Sequence, residues 1–202
     1  MSTHLLRRAP ERARPHLTLL PGITLSQARV HEACGAARRS FALWLASVCS
    51  GPVLWISPTW EPGQLNPDGM RDFVDPGRFI FVSAARANDL LWTMEEALRA
   101  GAVPLVVADL PAPPALTPVR RLHLAAEQGG TLGPAPLGLL LTPGEGGAQG
   151  IESRWRMTPC HQARLRIWHL ERLRARTLPP RGWQLQQRAP GAGMNLVEPE
   201  TV

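Results

Sequence analysis

The 202-residue chain contains no lysine and no tyrosine, so all 22 of its basic residues are arginines. Without lysine, no residue anywhere in the chain can supply the ammonium that a phosphate-binding loop wraps around. Cysteine is scarce: Cys34, Cys49 and Cys160 are odd in number and far apart, which excludes a disulfide framework and points to a reducing cytosol. Apolar runs are short. Pro, Asp or Gly interrupts each of them well before the ~20 residues of a membrane span, so no membrane segment is expected. The opening "MSTHLLRRAPER" has basic residues without an apolar region behind them, so no secretory leader is expected either. A cytoplasmic protein follows. At this length one domain with tails is expected, and the 44% apolar content is ordinary for a globular core.

The positive charge is localised. Residues 151–188 carry a net +7 and residues 1–20 a net +3, whereas 21–150 and 189–202 carry −2 each. A GC-rich coding genome accounts for the preference for arginine but not for this distribution. A basic end segment suits a polyanion or an acidic partner, and a solvated face equally.

Strand and helix signals alternate. Residues 28–34, 53–57, 78–83, 103–109 and 137–142 read as strands, the run "VPLVVAD" being the clearest. Residues 36–49 read as a helix with the stripe Phe41, Trp44, Leu45 and Val48. "NDLLWTMEEALRAG" reads as a second helix, capped by Asn88 or Asp89, burying Leu91, Met94 and Leu98 and stopping at Gly101. Trp92 lies ~100° round that helix and is a candidate partner contact. A third helix is expected to start with Thr117 as N-cap and end at Gly129-Gly130. After residue 150 three segments, 152–158, 164–176 and 181–187, read as consecutive strands, although 164–176 also suits a helix. The expected fold is α/β: a mostly parallel sheet with helices on both faces and antiparallel strands added at the C-terminal end. The expected layout is a flexible basic segment over 1–20, one domain over 21–187 and a disordered tail over 188–202.

The stretch "GAARRSFA" (35–42) stands between a strand and a helix, where G-x-x-x-x-G-K-[ST] would bind a nucleotide. Gly35 matches the first glycine. Ser40 stands for the second, Phe41 for the lysine and Ala42 for the hydroxyl residue. Phe41 belongs to the apolar stripe of the following helix, and Arg38 and Arg39 precede the required position with a planar fork instead of a point charge. The loop is degenerate and no nucleotide site is expected. Asp109 ends the clearest strand, where a P-loop enzyme holds its metal ion; with the loop lysine gone it reads more readily as a cap before Pro111. Glu32 reads as buried and paired, and Glu61 as loop surface. Cys160-His161 has no second pair at ligand spacing, His31, His123 and His169 are isolated, and no G-x-S-x-G is present. No cofactor, metal or catalytic set is expected.

If 164–176 is a strand, period-two alternation puts Arg164, Arg166, Trp168, Arg172, Arg174 and Arg176 on one face. Arginines with an interposed aromatic suit phosphates and stacked bases. DNA, an acidic partner and a solvated or edge-protecting face are all open.

In order along the chain, "RVHEACG", "VLWIS", "DPGRFIFVSAARANDLLWTMEEALRAGAVPLVVADL", "LTPVRRLHLAAEQGGTLG" and "LGLLLT" resemble a RecA-type ATPase core. With the C-terminal "RWRM" and "HLERLRAR", residues 20–187 resemble more closely the ImuA family, small RecA-like proteins of SOS mutagenesis. The resemblance implies a RecA-like sheet and a non-catalytic accessory role in error-prone translesion DNA synthesis. It also implies an ImuB-like, polymerase-related protein and an error-prone DnaE-type polymerase as partners, with RecA a further candidate. The scaffold is also similar to SulA-type inhibitors of cell division, and a degenerate RecA-like ATPase is the enzymatic alternative. The match to the nucleotide loop stops at Gly35 and Asp109.

Overall fold

The computed structural model describes residues 15–61, 63–163 and 165–197. An antiparallel hairpin, β1 (His16–Leu20) and β2 (Ile23–Ser26), opens the described chain. It is followed by β3 (Arg29–Cys34), α1 (Arg38–Val48), β4 (Val53–Pro58), a short α2 (Pro67–Arg71), β5 (Phe79–Ala84) and α3 (Ala87–Ala100). Then come β6 (Leu105–Asp109), α4 (Leu116–Leu132), β7 (Leu137–Leu141), β8 (Ser153–Pro159), β9 (Arg166–Ala175), β10 (Arg181–Gln187) and β11 (Met194–Leu196).

Nine strands form one sheet in the order β11-β10-β9-β8-β3-β7-β6-β4-β5. From β8 to β5 neighbours are parallel; β9, β10 and β11 continue the sheet in antiparallel fashion. The α/β class, the mixed sheet and the antiparallel C-terminal strands agree with the sequence, and 166–175 is strand, not helix. β3, β6 and β7 are buried along their whole length, as parallel strands covered on both faces must be. One face packs against α1 and the hairpin, through Phe41, Trp44, Leu45, Ile23 and Leu25; the other packs against α3 and α4, through Leu90, Met94, Leu98 and Leu122. No helix of the described residues is long and apolar enough to cross a membrane.

Several local expectations are corrected. α3 begins at Ala87, with Arg86 as N-cap and no side-chain cap, and it turns Leu90 instead of Leu91 into the core with Met94 and Leu98. α4 begins at Leu116, so Thr117 lies inside its first turn. Gly129 and Gly130 do not end α4. Gly101 closes α3 with a left-handed φ of 61°, and a Cβ on Gly129 would stand 1.9 Å from the Leu98 carbonyl oxygen. The glycine is there because two helices touch backbone to backbone. Val48, the last residue of the expected α1 stripe, is exposed. Strand β1 falls within the segment expected to be flexible, and β11 pairs with β10 inside the tail expected to be disordered.

Candidate functional site

The turn after β3 carries "GAARRSFA", the stretch compared above with a phosphate loop. Gly35 has φ 85°, and a Cβ there would meet the Met157 carbonyl oxygen at 2.7 Å. The Gly35 N–H donates to Gly144 O (3.0 Å), the Ala37 N–H to Met157 O (3.0 Å) and the Arg38 N–H to Gly35 O (3.3 Å). A phosphate cradle needs such amides unpaired and converging on an anion. Here they are spent on the chain's own carbonyls. α1 then starts at Arg38, so Ser40, Phe41 and Ala42 are helical; Ser40 is half-buried, and Phe41 and Ala42 are fully buried. The Phe41 ring stacks on Trp155 at 5.9 Å. The residue compared with the loop lysine is part of the core.

Asp109, at the end of β6, is buried and receives the Arg39 Nε at 2.7 Å, with the Arg38 Nε at 3.8 Å. Arg39 also donates through Nη1 to Gly63 O at 2.8 Å, so one side chain ties α1, β6 and the loop after β4 together. Where a P-loop enzyme sets an acid toward a metal ion, this chain neutralises the acid with an arginine from the first turn of α1. Beside the pair lies a cleft of about 360 Å³ lined by Trp55, Ser57, Glu61 and Phe81.

Glu32 is fully buried in β3 and paired. One carboxylate oxygen accepts from Thr142 Oγ1 (2.7 Å), Gly147 N (2.8 Å) and Ala148 N (3.0 Å), the other from Arg154 Nε (2.5 Å). This ties the glycine-rich β7–β8 loop to the sheet, and the same loop supplies the Gly144 carbonyl that occupies the Gly35 amide. Next to it, Arg156 bonds Glu171 at 2.7 Å and also Glu145, which holds the Glu171 carboxyl below its ordinary range.

The six-residue basic face is not assembled as the alternation predicts. Arg164 lies outside the described residues. Arg166 is half-buried, pairs with Asp72 at 2.9 Å and lies over the rings of Phe73 and Trp168. Trp168 is 2% exposed and Arg172 4%; they face α1 and the hairpin. The Arg172 guanidinium lies over Trp155 (5.7 Å) and Trp183 (5.2 Å) and donates from Nε to Pro179 O at 3.0 Å. Burial pulls its pKa down. A β-bulge then reverses the alternation: Trp155 pairs with Arg172, but Arg154 pairs with Arg174, leaving Leu173 as the extra residue. Arg174 is therefore exposed on the opposite side from Arg172, and Arg176 is exposed with Glu152 at 3.7 Å. Of the described set only Arg174 and Arg176 are exposed to a polyanion, and Arg176 already has Glu152 beside it. Trp92 is 60% exposed and borders a groove of about 300 Å³ between α3 and α4, with Leu91, Pro118 and Leu122.

Two imidazoles are structural. His31 bonds Ser153 Oγ (2.6 Å) and Ser26 O (2.9 Å); His123 accepts from Val30 N (3.3 Å) and bonds Gly150 O (3.0 Å). Burial lowers both from 6.5 to about 4. As pH falls below about 6.5 the unfolded chain takes up these protons before the folded one, so stability declines down to about pH 4 and then levels. Urea unfolding at about pH 7 and about pH 5 should show this loss, and His123→Gln should shrink the difference between the two. An unchanged difference would relieve His123 of the role.

Among the described residues, no three or more His, Cys, Asp or Glu side chains are grouped to hold a metal ion. No family model matches the chain, and no curated protein matches it.

Proposed function

We propose that this chain is a non-catalytic, RecA-like accessory protein of SOS-induced error-prone translesion synthesis, an adaptor that holds a mutagenic polymerase complex together. The RecA-like reading is supported by placement. The Gly35 turn and Asp109 open on the same edge of one parallel sheet, and antiparallel strands follow in chain order beyond β8. The non-catalytic reading rests on one observation: the amides of Gly35 and Ala37 are bonded to Gly144 and Met157, while Arg39 holds Asp109. With those two amides and the strand-end acid already bonded, the edge offers no preformed phosphate cradle. What the fold leaves available is surface, above all Trp92, an exposed large aromatic beside a groove that Leu91, Pro118 and Leu122 share with the Glu95–Arg121 ion pair.

The partners are an ImuB-like, polymerase-related protein and an error-prone DnaE-type polymerase. Capture of the tagged chain from DNA-damaged cells should bring down both. Trp92→Ala should lose them while the melting temperature stays unchanged. Capture without either protein, together with normal damage-induced mutagenesis in cells lacking the chain, would overturn the proposal.

A further inference from the structure

The two edges of the large sheet are built differently. β11, at one end, has three residues, and a short edge strand offers little to pair with. β5, at the other end, has six, pairs only with β4 in unbroken register, and carries no charge, proline or glycine from Phe79 to Ala84. Edge strands of monomers are blunted by charge, proline, a bulge or a covering segment. β5 has none of the first three. Among the described residues, its hydrogen bonds to backbone outside the ladder lie at its two ends, from the Phe79 N–H to the Pro76 carbonyl and from the Thr59 N–H to the Ala84 carbonyl.

Two large apolar side chains sit side by side on this edge, on opposite faces. Phe81 stacks on Phe79 (5.9 Å) on the α1 side and is 52% exposed. Ile80, on the α3 side with Val82, is 49% exposed. Trp60, 46% exposed, follows Thr59 at the end where Thr59 bonds Ala84. A side chain packed on one face would cover only one of the strand residues. A strand added to the edge would cover both.

We propose that β5 is a dimer edge, pairing antiparallel with β5 of a second copy of this chain about a two-fold axis normal to the sheet. Charge does not oppose a second copy at this edge: two molecules of net charge +6 repel each other, but the neutral segment 79–85 brings no like charges into contact. Antiparallel pairing also brings the end carrying exposed Asp75 against the end carrying Arg86, whose side chain is 83% exposed, twice by symmetry. The register follows from strand geometry. Residues directly opposite share a face, so the axis passes midway between a residue and its own copy. Centred on Phe81, the pairing sets Ile80 against Val82 and Phe79 against Ser83, all uncharged. Centred on Ile80, it would set Val82 against Arg78, whose guanidinium is committed to the carbonyls of Ala46, Cys49 and Gly51.

Sedimentation velocity over a concentration series should show a reversible dimer. Ile80→Lys and Phe81→Lys replace exposed side chains, so they should give monomers that melt with the wild type at concentrations too low for it to dimerise. A covalent reading fixes the register. With exposed Cys160 replaced by Ser, Phe81→Cys should form an intermolecular disulfide on mild oxidation, because opposed strand residues hold their Cα atoms about 4.5–5.5 Å apart, within disulfide reach. Leu124→Cys, 64% exposed on α4, is the control and should not. A wild type that stays monomeric throughout, which would leave the edge for another protein's strand, overturns the proposal. So does a dimer that survives both lysine variants, or a Phe81→Cys variant that cross-links no faster than the control.

Discussion

Replacing Glu32 by Ala is expected to cost roughly 3–5 kcal/mol, which for a chain of this size is about 6–20 °C in melting temperature. The size comes from what is left behind. Removal of the carboxylate orphans the Thr142 hydroxyl, the amides of Gly147 and Ala148 and the Arg154 guanidinium in a region with no other acceptor assigned to them except Ala148 O for Arg154. Breaking a buried pair from one side leaves an uncompensated charge, whereas removing both charges does not. Glu32→Gln combined with Arg154→Gln should therefore recover part of the loss that Glu32→Ala shows. Denaturant unfolding of the three proteins decides it. A loss below about 1 kcal/mol for Glu32→Ala, or a double variant less stable than the single one, would remove the network from the core of the fold.

The second large effect separates two arginines that a period-two reading treats alike. Arg172→Gln should destabilise by about 2–5 kcal/mol, since it opens space between Trp155 and Trp183 and removes a desolvated cation from both rings. Arg174→Gln, exposed beyond the bulge, should stay within about 0.5 kcal/mol of wild type. Equal stabilities would mean that the bulge is misplaced or that Arg172 is not core. The contrast also governs any DNA experiment. Changing Arg172 together with Arg174 and Arg176 confounds unfolding with contact loss, whereas Arg174→Gln with Arg176→Gln leaves the fold intact. If those two meet phosphates, each lost contact should flatten the binding slope against log salt by about 0.9 on duplex DNA.

The difference between the two arginines also shows where the sequence stopped being informative. Alternation is a local signal, and "RLRAR" contains nothing, such as a glycine, to mark an inserted residue. Nor does it show that Leu170, which shares the even-numbered positions with Trp168 and Arg172, makes that side the inner one. The parallel strands were legible because burial on both faces leaves continuous apolar runs, as in β6 and β7. The pattern misplaces the phase of α3 by one residue, because the phase depends on where the helix starts and Arg86 supplies no capping side chain. Gly129 reads as a stop because a close helix–helix contact and a helix end both call for glycine. The hairpin does have a local signal, Pro21-Gly22 between two apolar runs, with Gly22 at φ 83°. The mismatch with a phosphate-binding loop is a matter of residue types alone. That the turn's amides bond Gly144 and Met157, and that Arg39 takes Asp109, depends on segments far away in the chain.

Titration of the purified chain with Mg-ATP, followed by calorimetry and by melting temperature, tests the closed phosphate site most directly. With the Gly35 and Ala37 amides already bonded, Phe41 in the lysine position and Asp109 held by Arg39, no heat of binding and no thermal shift should be seen. Saturable binding at about micromolar ATP, with a matching rise in melting temperature, would contradict it.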